Sequence, residues 1–177
     1  MKVNEKFEEG NRAAKKMLYA LLVLIVPILI LLGLYIKNPS SHVFYAIYDS
    51  AKNLPAILSQ NNLLLSKSMD IYTKTAPLMA FFVFLLTYKD LNLRNDVSFL
   101  KISFLFLLFT IIEIIIAYVF LFTNTELTTS SKLFRLMSEN DLLLLFFYIS
   151  LYAGIYIFSY LYLWFCVGTF RAFKERQ

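Results

Sequence analysis

Four stretches of this chain run long enough, with one charge or none, to cross a lipid bilayer as helices: residues 17–36, 71–88, 102–122 and 142–168. A membrane-spanning helix needs about 20 consecutive, mostly apolar residues. The second stretch carries only Lys74 and the third only Glu113. Composition agrees, since 59% of the 177 residues are apolar and 16% charged, against about 45–50% and about 25% in soluble domains. A soluble fold of this size has too little interior to hide so much apolar side chain. The expected fold is all-α: a polytopic four-transmembrane-helix bundle forming one membrane domain over residues 1–177.

The same composition removes several kinds of chemistry. A single cysteine, Cys166, excludes an intramolecular disulfide and a thiolate metal cage, and a single histidine, His42, leaves no imidazole pair. Four glycines include no phosphate-loop spacing. No Ser, His and Asp set falls on facing helices at one depth, and no acidic cluster is placed to hold Mg²⁺. Neither an enzyme nor a cofactor or metal site is expected. The net charge of +5 flanks apolar runs instead of forming one stripe, which speaks for membrane orientation over nucleic acid.

Basic residues set that orientation. Lys2, Lys6, Arg12, Lys15 and Lys16 precede the first run. Lys89, Arg94 and Lys101 occupy the short second loop, and Arg171, Lys174 and Arg176 the C-terminal tail. Lys37, Lys52, Lys67, Lys132 and Arg135, with Lys74 at a helix end, are spread over two longer loops. Both termini are therefore expected in the cytoplasm, with loops at about 37–70 and 123–141 facing outward. The first run is too long for a signal sequence and lacks a small-x-small cleavage site, so it reads as a retained helix, kinked at Pro27. In the first loop, Ser40 and Ser41 are placed to cap a short helix whose Val43, Phe44, Ile47, Tyr48 and Ala51 share one face. That face suits either the headgroup layer or the bundle itself.

Glu113 is expected to be either protonated or paired, because a bare carboxylate at mid-span costs at least ~3 kcal/mol. Lys74 on the neighbouring antiparallel run is one candidate. The other is Tyr152, part of a stripe formed by Tyr148, Tyr152, Tyr156 and Tyr160 every four residues. Three roles stay open for Glu113: locking the third helix to the second or fourth, contacting a partner, or carrying an ion. Ala76 with Ala80, and Ser150 with Gly154, have the small-x-x-x-small spacing that permits close helix approach. Pro77 frees the Thr73 carbonyl and is expected to bend the second helix.

Several motifs resemble the immunity proteins against pore-forming colicins of the colicin A type. They are Met69-Asp70-Ile71-Tyr72 continuing to Lys74-Thr75-Ala76-Pro77, and Glu126-Leu127-Thr128-Thr129 followed by Arg135-Leu136-Met137, Asn140-Asp141 and Phe147-Tyr148-Ile149. Asn11-Arg12 with Leu18-Tyr19, Leu54-Pro55 and the basic ending at Lys174 fit the same pattern. Glu113 departs from it. The resemblance implies a plasmid-borne, multi-pass protein of the bacterial inner membrane. Such a protein binds the pore-forming domain of a cognate colicin (type A, B, N, U or Y) before its channel opens. It makes Lys74, Glu126, Thr128, Thr129, Arg135, Asn140 and Asp141 an outward cluster supporting recognition. The competing reading has Thr128, Thr129 and Asn140 capping the loop and the next helix, with Asp141 favouring that helix's N-terminus; specificity then moves to residues 41–50 and lipid-facing aromatics. A different class of function, a small transporter or channel subunit using Glu113 as its coupling carboxylate, is the alternative.

Overall fold

A computed structural model describes the backbone at residues 2–90 and 99–174, and side chains at 12–90, 100–171 and 174. The side chains of Lys2, Lys6, Asn11, Arg94 and Arg176, which enter the sequence expectations, lie outside the described residues. The elements are α1 (Lys2–Lys37), α2 (His42–Ser50), β1 (Ile57–Leu58), α3 (Leu63–Thr73), α4 (Ala76–Thr87), α5 (Phe99–Phe122), β2 (Thr125–Glu126), α6 (Lys132–Glu139) and α7 (Asp141–Lys174). Single 3₁₀ turns cover Gln60–Asn62 and Tyr88–Asp90.

Among the described residues, four helical stretches are long and apolar enough to cross a membrane: Arg12–Lys37, Gln60–Asp90, Leu100–Phe122 and Asp141–Arg171. The second begins well before the expected residue 71, and most of the 37–70 segment is helical instead of loop. The reason lies in side-chain burial. Leu65 to Asp70 are all buried, so these polar and charged residues are part of a packed helix.

Pro77 cannot donate to the Thr73 carbonyl, and the helix is interrupted there by a turn at Lys74–Thr75. The turn is closed by Lys74 N–H to the Asp70 carbonyl at 3.0 Å and Thr75 N–H to that of Tyr72 at 2.9 Å. By contrast, α1 continues through Pro27. Tyr72 Oη donates to the Leu24 carbonyl, 2.7 Å away, within the turn that Pro27 disturbs.

Packing divides the chain into two compact units. The first comprises residues 1–23, 77–115 and 155–177; the second, 24–76 and 116–154. In the first unit, α5 and α7 meet along an aromatic seam, Phe106 against Tyr162 and Phe109 against Phe165, with ring centroids 6.0 and 4.6 Å apart. Tyr160 shares a hydrogen bond with Thr87 Oγ1 at 2.7 Å and meets Phe84 edge-on. Tyr156 Oη donates to the Met17 carbonyl at 3.2 Å. Lys16 and Asp90 form a surface ion pair at 2.5 Å.

In the second unit, β1 and β2 form a two-residue parallel pair, Ile57 opposite Thr125 and Leu58 opposite Glu126. This ladder was not expected in an all-α chain. It answers a backbone problem: loops between spans carry N–H and C=O groups that lipid cannot satisfy. Thr125 N–H donates to the Ala56 carbonyl, and Leu127 N–H to that of Leu58, at 3.1 and 2.8 Å. The helix expected near residue 41 is α2, with Ser41 Oγ accepting from Val43 N–H at 3.4 Å. Its Phe44 is buried edge-on against Tyr35, so that side of α2 packs on the protein; Val43 and Tyr45 are exposed.

Candidate recognition site

The polar centre of the second unit is built around Asp70, which is fully buried. One carboxylate oxygen accepts from Ile57 N–H at 3.1 Å, and the other from Lys74 Nζ at 2.7 Å, one helical turn on. Lys74 Nζ also donates to the Pro55 carbonyl and lies 5.6 Å from the Phe120 ring centroid. The buried Lys67 donates to the next loop carbonyl, that of Leu54, at 2.8 Å. Two lysines and one aspartate of α3 and its terminal turn thus hold residues 54–57 in place. Charge-assisted bonds of this kind are the strong ones.

Tyr148 and the serines extend the same knot. Tyr148, fully buried, donates from Oη to the Ile57 carbonyl at 2.6 Å. Ser59 N–H donates to Ser66 Oγ at 3.1 Å, while Ser59 Oγ donates to the Ser138 carbonyl at 3.1 Å. Glu126 ties the other loop: its Oε1 accepts from Gln60 N–H, Thr128 N–H and Thr128 Oγ1 at 3.0, 3.2 and 2.6 Å. The Glu126 carbonyl accepts from Ser130 Oγ at 2.6 Å and Thr129 Oγ1 at 3.4 Å.

The expected cluster therefore resolves into different jobs. Lys74, Glu126 and Thr128 face inward and hold loops. Asn140 caps α7, its Oδ1 accepting from Leu142 and Leu143 N–H at 2.8 and 3.3 Å, and Asp141 stands in the first turn, where the helix dipole favours a carboxylate. Thr129 and Arg135 are exposed. Tyr152 is fully buried, its ring stacked on Tyr72 with centroids 5.3 Å apart.

Glu113 has another partner than those expected. Its Oε1 accepts from Ser159 Oγ at 2.8 Å, in register with the aromatic seam between α5 and α7. Lys74 instead commits its charge to Asp70 and Pro55, because Asp70 sits four residues earlier on the same helix face. The pairing of Glu113 with Ser159 follows the contacts between α5 and α7, which the sequence does not give. Asp70 and Lys74, by contrast, had the (i, i+4) spacing that brings opposite charges together. Of the small-residue pairs, Ala76 and Ala80 are buried, whereas Ser150 is exposed and a Cβ added at Gly154 would meet nothing within 4 Å. Gly154 does not mark a close helix contact. Among the described residues, no three His, Cys, Asp or Glu side chains are grouped to hold a metal ion.

A family model described as colicin immunity protein matches residues 40–177. The chain is 38% identical to the colicin-A immunity protein of Citrobacter freundii over 96% of each chain. It is 33% identical to the colicin-B immunity protein of Escherichia coli, over 96% of this chain and 98% of that one. With the colicin-N immunity protein of Escherichia coli it shares 42% identity, over 59% of this chain and 81% of that one. No solved structure matches the chain. End-to-end identity at this level, joined to four helices able to span a bilayer, places the chain in the colicin immunity protein family.

Proposed function

We propose that this chain protects its host by binding the pore-forming domain of a cognate colicin within the inner membrane and holding the channel closed. The observation that carries the reading is its end-to-end identity with the colicin-A immunity protein. The four candidate spans support a seat in the bilayer, where such a pore would open. Both termini lie in the cytoplasm, following the basic residues around Arg12, Lys89 and Arg171, so the segments at about 37–70 and 123–141 face the periplasm, from which a colicin arrives.

Lateral association of helices in lipid gains nothing from the hydrophobic effect and relies on packing and a few polar contacts. The energetic demand is modest: shifting a two-state pore from 99% open to 99% closed takes about 5.5 kcal/mol of preference for the closed form. Lys74, Glu126, Thr128 and Asn140 are engaged within the protein and serve as scaffold. Discrimination among toxins falls to exposed side chains, including Val43 and Tyr45 of α2 and the outer faces of the spans.

Sensitive cells expressing the chain are challenged with a panel of pore-forming colicins and, as controls, nuclease colicins. Survival against one or a few pore formers, with none against the nucleases, is expected. Death under every pore former would overturn the reading. Reporter fusions at both ends test the topology, and a periplasmic terminus would overturn that part alone.

A further inference from the structure

The short helix α6 is inside out for a helix on a water-facing loop. Its protein-facing side holds Ser138, fully buried, whose carbonyl accepts from Ser59 Oγ and from Asn61 Nδ2 at 3.1 and 3.4 Å. Phe134 touches Phe147 edge-on at 5.8 Å. Leu133 and Leu136 are left 60% and 54% exposed. Lys132 and Arg135 are also exposed, and the ion pairs among the described residues involve neither. A helix bathed in water would bury its leucines and expose its serine.

Position identifies the medium that favours the reverse. The candidate span Leu100–Phe122 ends shortly before α6, and Asp141–Arg171 starts directly after Asn140. Two residues of chain reach at most about 7 Å, so the end of α6 lies within that distance of the start of a span. That is the depth of the lipid headgroups, where leucines find acyl chain and lysine or arginine finds phosphate at the end of a flexible stem. The same edge of the second unit is apolar on its neighbours, with Phe122, Leu142 and Phe146 exposed.

The geometry points to α6 as an interfacial anchor seated on a phospholipid surface, with Leu133 and Leu136 in the acyl edge and Lys132 and Arg135 at the phosphates. Arg135 thereby serves the membrane and is not a direct contact to the toxin. The seat fixes the depth of the β2–α7 connection, and through the Ser138 carbonyl that of residues 59–61.

The test uses the full chain in vesicles of phosphatidylcholine and phosphatidylglycerol. The sole tryptophan is removed as Trp164→Phe, and one is introduced at the exposed position as Leu136→Trp or Leu133→Trp. Lipids brominated near the headgroup are expected to quench its fluorescence about twofold more than lipids brominated near the chain ends, with weak quenching by aqueous acrylamide. Because indole itself favours interfaces, a nitroxide on Leu136→Cys in a Cys166→Ala background provides a second reading. It is expected to be more accessible to oxygen than to a water-soluble nickel complex, and Lys132→Glu with Arg135→Glu shifts it toward nickel. Strong acrylamide quenching with no effect of bromolipid would overturn the anchor. So would a probe that is water-exposed in vesicles and becomes shielded only when a pore-forming colicin is added, which would make α6 a protein-binding surface.

Discussion

Removing the Asp70 carboxylate tests whether the knot at residues 54–74 holds the second unit together. In Asp70→Ala, the largely buried Lys74 ammonium keeps the Pro55 carbonyl and the Phe120 ring but loses its counter-charge, and Ile57 N–H loses its acceptor. Breaking a buried ion pair from one side costs about 3–5 kcal/mol, and the orphaned N–H accounts for about 1–3 kcal/mol of that total. Against a native stability of about 5–15 kcal/mol, the loss is large enough to lower the amount of protein in the membrane. Asp70→Asn retains an acceptor for Ile57 and should cost less. Adding Lys74→Met to Asp70→Ala removes the stranded charge and should recover part of the deficit, whereas two independent sites would simply add. Reversible unfolding by SDS in mixed micelles measures wild type, both Asp70 variants, Lys74→Met alone and the double variant. The reasoning fails if Asp70→Ala stays within about 0.5 kcal/mol of wild type, since that is the range of an ordinary surface substitution. It fails equally if the double variant is as unstable as the two single changes combined.

Three further outcomes follow from individual contacts. Glu113→Leu removes the acceptor for Ser159 Oγ and should destabilise by about 0.6–2 kcal/mol, the range for hydrogen bonds between membrane helices, while Glu113→Gln stays near wild type; proton flux in liposomes that vanishes in Glu113→Gln would instead favour the transporter reading. Tyr148→Phe leaves the Ile57 carbonyl without its hydroxyl donor and should cost about 1–3 kcal/mol in the same unfolding titration, with an unchanged midpoint as the refuting result. Gly154→Ala enters open space and should stabilise α7 by up to about 1 kcal/mol; a destabilised variant would mean that the glycine serves a close contact after all.

The apolar runs made four spans legible, because a bilayer imposes a length and a polarity on every helix that crosses it. The same rule obscured the start of the second. Lys67, Ser68 and Asp70 read as loop residues, since nothing in a one-dimensional hydropathy pattern reveals that Asp70 pairs with Lys74 while Lys67 donates to the Leu54 carbonyl in three dimensions. The ladder between Ile57–Leu58 and Thr125–Glu126 was equally hidden, because two residues on each strand are too few to show an alternating pattern. Glu113 was singled out as a residue that must be protonated or paired. Its partner was missed because Lys74 and Tyr152 offered a charge and a phenol, whereas Ser159, a small hydroxyl inside an aromatic run, drew no attention. The motif residues from Lys74 to Asp141 stand together in the sequence pattern, yet that pattern did not reveal that Lys74, Glu126 and Thr128 turn inward while Thr129 and Arg135 stay exposed.

That inward turn bears on how such a protein distinguishes one toxin from another. A carboxylate or ammonium that satisfies loop backbone inside a lipid-facing unit cannot be exchanged without leaving an unmet group, so Asp70, Lys74 and Glu126 resist change whatever the partner. The exposed leucines, phenylalanines and tyrosines of α2, α5 and α7 carry no such obligation. Each substitution there alters shape alone, at a cost of a few tenths of a kcal/mol in most surface positions. Because hydrophobic driving force is absent between helices in lipid, shape and the few polar groups left outside decide which partner packs. On the proposed reading, immunity to a different colicin is therefore reached by repainting an apolar surface over an unchanged polar frame.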